Sequence, residues 1–164
     1  MTLRSHTGGR TVAVSVTRPN DTNAYLASDV IGSATGSTAA LEFANIAPSA
    51  GSVLITSAAL TINATSVIAS ETSYTLALYS ITPPSAYGDN AAWDLPSGDR
   101  AYFLGRIDLG APVDLGSTLY VRADSINMHV DVESSSLFAY LITNAGYTPT
   151  ALRVHKIELS ALPL

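Results

Sequence analysis

The chain has 164 residues, 47% of them hydrophobic and only 13% charged, with a formal net charge of −5. A one-domain length with that much apolar material supports a sizeable core, whereas an acidic chain with one lysine, Lys156, lacks the basic face a nucleic-acid partner requires. The absence of cysteine excludes a disulfide framework and a thiolate metal site, and no apolar run reaches the roughly 18 residues of a membrane helix.

The first ten residues, MTLRSHTGGR, are polar and precede any periodic pattern. They read as a short N-terminal arm, residues 1–10, ahead of a single domain over residues 11–164. They hold no apolar run of signal-peptide type, so no secretion signal is expected and the Asn63-Ala64-Thr65 sequon is discounted. Arg4, His6 and Arg10 make the arm basic within an acidic chain. Together with Arg18 they are candidates for contact with an acidic neighbour.

Thr11–Thr17 (TVAVSVT) alternates valines with small polar residues, as a half-buried strand does. Arg18-Pro19-Asn20-Asp21 breaks it. Asn23–Ile31 reads as one weak strand or two short ones, residues 32–38 as a small-residue loop, and Ala40–Ile46 as a strand closed by a turn at Pro48–Gly51. Ser52–Ala69 is long, apolar and rich in β-branched residues, with no polar stripe at helical spacing, so strand is preferred. Ser73–Thr82 alternates and ends at Pro83-Pro84. Asp89–Leu95 could form one or two helical turns, with Asp89 or Asn90 as cap and Pro96 as stop. Strands are further expected at Tyr102–Leu109, Thr118–Asp124, Met128–Val132, Leu137–Thr143 and Leu152–Leu162. The last shifts phase near His155-Lys156, which suggests a bulge. Strands recurring every eight to fifteen or so residues, with turns between, predict an all-β fold: one antiparallel β-sandwich, jelly-roll-like.

Chemistry finds little support. The histidines are His6, His129 and His155, and no G-x-S-x-G elbow accompanies them. Asp89, Asp94 and Asp99 could supply paired carboxylates for glycoside hydrolysis, but aspartate is common in loops and a single Trp makes a poor sugar cleft. No D-x-D-x-D-G calcium loop occurs, and residues 32–37 lack the lysine of a P-loop. The chain is therefore expected to be no enzyme, with no cofactor and no metal. The segment Asp89–Gly110 reads instead as a proline-braced loop in which Trp93 and Leu95 cover an open end of the sandwich. Tyr87, Trp93, Asp94, Asp99 and Arg100 are its candidate contact residues, since long loops on a rigid scaffold often bind.

Four stretches, VTRPNDTNAYLASDVIG (16–32), ITPPSAYGDNAAWDLPSGDRAYFLGRIDLG (81–110), DLGSTLYV (114–121) and SLFAYLITNAGYTPT (136–150), resemble small virion structural proteins of tailed bacteriophages, with 81–110 the most specific. The resemblance spans the chain after the arm and carries no catalytic motif. It implies a head decoration (cement) protein that binds the outer surface of the major capsid shell and stabilises it. The implied partners are the major capsid protein and like copies, with a homotrimer expected, and the implied location is the virion head, after synthesis in the bacterial cytoplasm. The low surface charge fits burial against other subunits. The alternatives are a tail-associated or receptor-binding β module for host glycans, a glycan hydrolase, and a non-viral carbohydrate-binding domain.

Overall fold

The computed structural model describes residues 8–164, and among these no helix occurs. The strands in chain order are β1 (Arg10–Thr17), β2 (Val30–Ile31), β3 (Leu41–Phe43), β4 (Gly51–Ile62), β5 (Tyr74–Tyr79), β6 (Phe103–Gly110), β7 (Val113–Asp114), β8 (Leu119–Val132), β9 (Leu137–Thr143) and β10 (Val154–Pro163). One sheet runs β1-β10-β4-β8-β7; the other runs β2-β9-β5-β6, with β3 also pairing β9. Every pairing is antiparallel. The strands nest outermost to innermost: β1 with β10, β2 and β3 with β9, β4 with β8, β5 with β6. Alternate nested pairs fall in opposite sheets, which is the wound hairpin of a jelly roll.

The core forms where the inner faces meet. Val53, Ile55, Leu60, Ile62, Ile157 and Leu159 of the first sheet pack on Leu76, Leu78, Ile107, Leu109, Leu137, Ala139 and Leu141 of the second. Each such side chain contributes roughly 1.5–3 kcal/mol by leaving water. Strand β5 is buried at every position. Its period-2 pattern places Leu76 and Leu78 in the main core, while Ala77 and Tyr79 join a second cluster with Val30, Ala39, Tyr140 and Ile142. That cluster lies on the outer face of the second sheet, beneath the long connection between β5 and β6.

Several sequence expectations change in the fold. The strands expected at 118–124 and 128–132 are one, β8 (Leu119–Val132), interrupted by a bulge where Ser125 and Asn127 take φ of 57° and 49° and the register with β4 slips between Ile55 and Ser57. The register shift in β10 falls at Ser160/Ala161 and not at His155-Lys156. The alternation never breaks at His155; a fully buried histidine simply occupies an inward position, followed by Ile157 and Leu159. Asp89–Leu95 is not helical. Asn90 adopts φ 65°, and the backbone bonds that a helix would use go to β2 and its approach instead: Val30 N–H to Ala91 O, Asn90 N–H to Val30 O, and Trp93 N–H to Ser28 O. Tertiary pairing overrides the local preference. Strand β1 begins at Arg10, inside the expected arm.

Candidate functional site

The Asp89–Gly110 segment does not plug an end of the sandwich. Its last part, Phe103–Gly110, is strand β6 of the second sheet, and the part before it covers the outer face of that sheet, where Tyr79, Tyr140, Ala77 and Ile142 present an apolar surface. Trp93, Leu95, Tyr102 and Tyr87 pack onto it. The Trp93 indole N–H donates to Tyr79 Oη at 3.0 Å, its ring lies 6.2 Å from Phe103, and the Arg106 guanidinium sits 5.5 Å above it. Tyr79 and Tyr87 both meet Tyr140 edge-on, at 5.8 and 5.6 Å, the geometry that aromatic quadrupoles favour. Burial, and for Tyr87 the hydrogen bond it donates to Asp94, pushes the Tyr79 and Tyr87 hydroxyls up to about 12.

The three aspartates of this region do separate structural jobs. Asp99 is fully buried: its carboxylate accepts from Ser85 N–H, and its carbonyl accepts from Tyr102 and Phe103 N–H, closing the turn into β6. Asp89 is buried at the far end of the segment. Asp94 alone is exposed, as is Arg100. Asp89 and Asp99 are enclosed and accept from backbone N–H groups, so of the three only Asp94 faces solvent. Asp99 is unavailable as a contact residue, because its carboxylate is enclosed.

Asp89 belongs to a second, wholly buried assembly. Its Oδ1 accepts from Tyr25 Oη at 2.6 Å and from Gly32 N–H at 2.8 Å, and its Oδ2 lies 3.6 Å from Arg18. Arg18 Nε donates to Tyr25 Oη, and its Nη atoms reach Asp21 and the Thr150 carbonyl. The Tyr25 ring packs 5.4 Å from Tyr147, whose hydroxyl is 3.2 Å from that of Tyr74. Tyr74 donates to Glu71, which pairs at 3.0 Å with Arg153, another buried arginine. His155 completes the assembly, 6.2 Å from Tyr74 ring to ring. Burial first, then the positive charges of Arg153 and Arg18, lower its imidazole to about 3, so it stays neutral. Burial also raises the Tyr25 and Tyr74 hydroxyls well above the usual phenol range.

This assembly was not legible as a unit in the sequence, although an arginine at each of two strand ends, Arg18 and Arg153, and a histidine within a strand were a signal in a low-charge chain. Apart from Asp21 at its margin its charged groups are buried, and Arg153 also lines a cavity of about 250 Å³ with Asn63, Ile68 and Thr150. Arg18 faces Asp21 and Asp89, Arg153 faces Glu71, and the Tyr25 and Tyr74 hydroxyls donate to Asp89 and Glu71. It fixes the loops before β2 and β10 against the β5–β6 connection. The same burial removes Arg18 as a surface contact: it is 1% exposed. Arg10 is half-buried and donates to the Asn45 and Ala47 carbonyls at 2.8 and 3.2 Å. Arg4 and His6 lie outside the described residues. His129 is exposed on β8 and His155 is enclosed, with neither ring nitrogen of His155 bonded to a hydroxyl or carboxylate. Among the described residues no three His, Asp or Glu side chains gather closely enough to hold a metal ion.

No family model and no curated protein matches the chain. Solved structures do. A chain of tomato aspermy virus matches over 100% of this chain and 82% of its own, at 8% identity and a TM-score of 0.34. One of maize chlorotic mottle virus matches over 98% and 94%, at 12% identity and 0.33. The tobacco streak virus coat protein matches over 99% and 90%, at 10% and 0.27. These superpositions are loose, and the jelly-roll assignment rests on the strand order itself.

Proposed function

We propose that the chain is a non-catalytic structural protein of a virion, and specifically a head decoration protein that binds the outer surface of a tailed-phage capsid shell. The observation that carries the reading is where the polar chemistry has gone. Arg18, Glu71, Asp89, Asp99, Arg153 and His155 all face inward and stiffen the scaffold. The surface they leave is rich in Ser, Thr and Ala, which suits contact with neighbouring subunits. The resemblance of residues 81–110 to phage virion proteins supports the same role.

Many weak contacts repeated over a shell add up through multivalency. A protein bound only to the intact shell stabilises it by mass action. Arg4 and His6, with the segment up to Arg10, are the contacts proposed for the major capsid protein, and a trimer is the assembly proposed around a capsid axis. The test adds tagged protein to particles that lack it and locates the label by electron microscopy. Even decoration of heads, with higher resistance to heat, is the expected result; binding should fall when residues 1–8 are removed. Label at the tail tip would overturn the reading. It would favour a receptor-binding module, for which exposed Asp94 and Arg100 beside half-buried Trp93 offer a polar and aromatic surface.

A further inference from the structure

We infer that β1 is a self-association edge: two copies of this chain pair their β1 strands antiparallel across a two-fold axis centred on Val14, joining the sheet that β1 and β10 share in each copy. The inference stands apart from the decoration role. It starts from a comparison of the sheet edges. A free edge is a template for another strand unless something blunts it. Strands β2 and β7 are two residues long, and β7 ends on exposed Asp114. Strand β6 carries exposed Arg106 and Asp108, a glycine at φ 136°, and register breaks against Tyr74/Thr75 and Leu78/Tyr79. Bulges and charges of that kind are the usual protection.

Strand β1 carries a charge only at its first residue, Arg10, whose guanidinium is turned to the Asn45 and Ala47 carbonyls. It runs eight residues in unbroken register with β10, and Thr11–Thr17 contains no charge, proline or glycine. No backbone hydrogen bond joins it to any described strand other than β10. Arg18 N–H donates to Arg153 O one step beyond the ladder, so the even-numbered residues form the bonded pairs with β10. Thr11, Ala13, Ser15 and Thr17 therefore turn their N–H and C=O groups outward. Beside this edge lies a groove of about 380 Å³, walled by Val14–Thr17 on one side and Thr38–Glu42 on the other. Val14 is only half-buried there.

The occupant follows from the sequence of the edge itself. TVAVSVT is nearly palindromic. Antiparallel self-pairing about Val14 sets Thr11 opposite Thr17, Val12 opposite Val16, and Ala13 opposite Ser15. Only odd residues fall in bonded pairs, which are the residues whose backbone groups have no partner among the described residues. Like β-branched residues face each other, a favourable cross-strand match, and within Thr11–Thr17 no like charges oppose. An isologous two-fold contact requires this kind of self-complementarity.

The register can be read by cross-linking, because the chain has no cysteine of its own. Val14 would face its own copy in a non-bonded pair, whose Cα spacing of about 4.5 Å suits a disulfide. Val14→Cys is expected to form a disulfide-linked dimer rapidly, and Ser15→Cys, offset from its copy, to do so far more slowly. Sedimentation of the unmodified chain should show two-fold association. The double variant Ala13→Lys/Ser15→Lys, with unchanged circular dichroism, should weaken it by about tenfold or more, and mixing with Ala13→Glu/Ser15→Glu should restore pairing. Equal cross-linking at both positions, or unchanged association in the lysine variant, overturns the proposal. So does a wild-type chain that stays monomeric, including the case where residues 1–7 cover their own edge, recognised by dimers appearing on their removal.

Discussion

The Arg18 guanidinium lies 3.6 Å from the Asp89 carboxylate with both side chains sealed inside the protein, and the Tyr25 hydroxyl bonds to each. Separated by most of the first half of the chain, the two residues tie the end of β1 to the long β5–β6 connection. Removing Asp89 leaves buried Arg18 with only the partly exposed Asp21 as counterion, and removing Arg18 leaves Asp89 buried without its arginine. Asp89→Asn is expected to cost about 3–5 kcal/mol, read as a fall in Tm on the order of 10 °C. Asp89→Asn combined with Arg18→Met should be less destabilising than the two single changes summed; strict additivity in a double-mutant cycle would show that the pair is not coupled.

Acid should act through His155. Its folded pKa, about 3, lies below the ordinary 6.5, so the unfolded chain takes up the proton first. This site leaves stability intact above about pH 6.5 and erodes it as the pH falls toward 3. Because neither ring nitrogen bonds a hydroxyl or carboxylate, His155→Leu should fold and should flatten the Tm–pH curve over that window. An unchanged slope between the variant and the wild type would assign the acid sensitivity elsewhere.

Base should act through the tyrosines. Burial raises Tyr25 and Tyr74 far above the ordinary 10, and Tyr147 to about 12. A raised pKa gives a contribution that is complete below pH 10 and lost as the pH climbs through the folded value. In an alkaline absorbance titration, the Tyr25 and Tyr74 phenolates are therefore expected only together with loss of the far-ultraviolet dichroism. Assignment by Tyr25→Phe and Tyr74→Phe checks this; either tyrosine ionising in the folded chain near pH 10 would refute it.

Gly88 sits where the β5–β6 connection presses on the loop before β3. A Cβ there would stand 2.7 Å from Gly36 N and 2.9 Å from Ser37 O, both backbone atoms. Gly88→Ala is expected to cost about 1–3 kcal/mol as the two segments part. Limited proteolysis should then cut within residues 83–102 faster than in the wild type. Equal cutting rates would mean that the loops separate without strain.

The sequence announced the strands well because most alternate, with one face on the core: Val12, Val14 and Val16 in β1, and Leu137, Ala139 and Leu141 in β9. Strand order is not written locally, since Arg10 pairs with Ala161 and the choice depends on the whole winding. The candidate contact residues fared unevenly for a similar reason. Asp94 and Arg100 are exposed as loop composition suggests, whereas Arg18 and Asp99 carry the same chemistry into the interior, where partners remote in sequence neutralise or bond them. Nothing near Arg18 in the chain signals Asp89. His155 misled in the opposite sense: a polar letter at an inward strand position looked like a broken phase, when the phase was intact.

The placement of β1 and β10 has a consequence in time. The first strand finds its ladder partner only in the last, so the outermost turn of the roll closes after nearly all other pairings are available. Contacts this distant make for slow folding. During synthesis β1 emerges long before β10 exists and must wait unpaired, which is when its uncharged, uninterrupted run is most prone to pair with the wrong strand. Folding and association then compete for the same seven residues, and a chain released late or crowded early would reveal that competition as aggregation before it affected the finished domain.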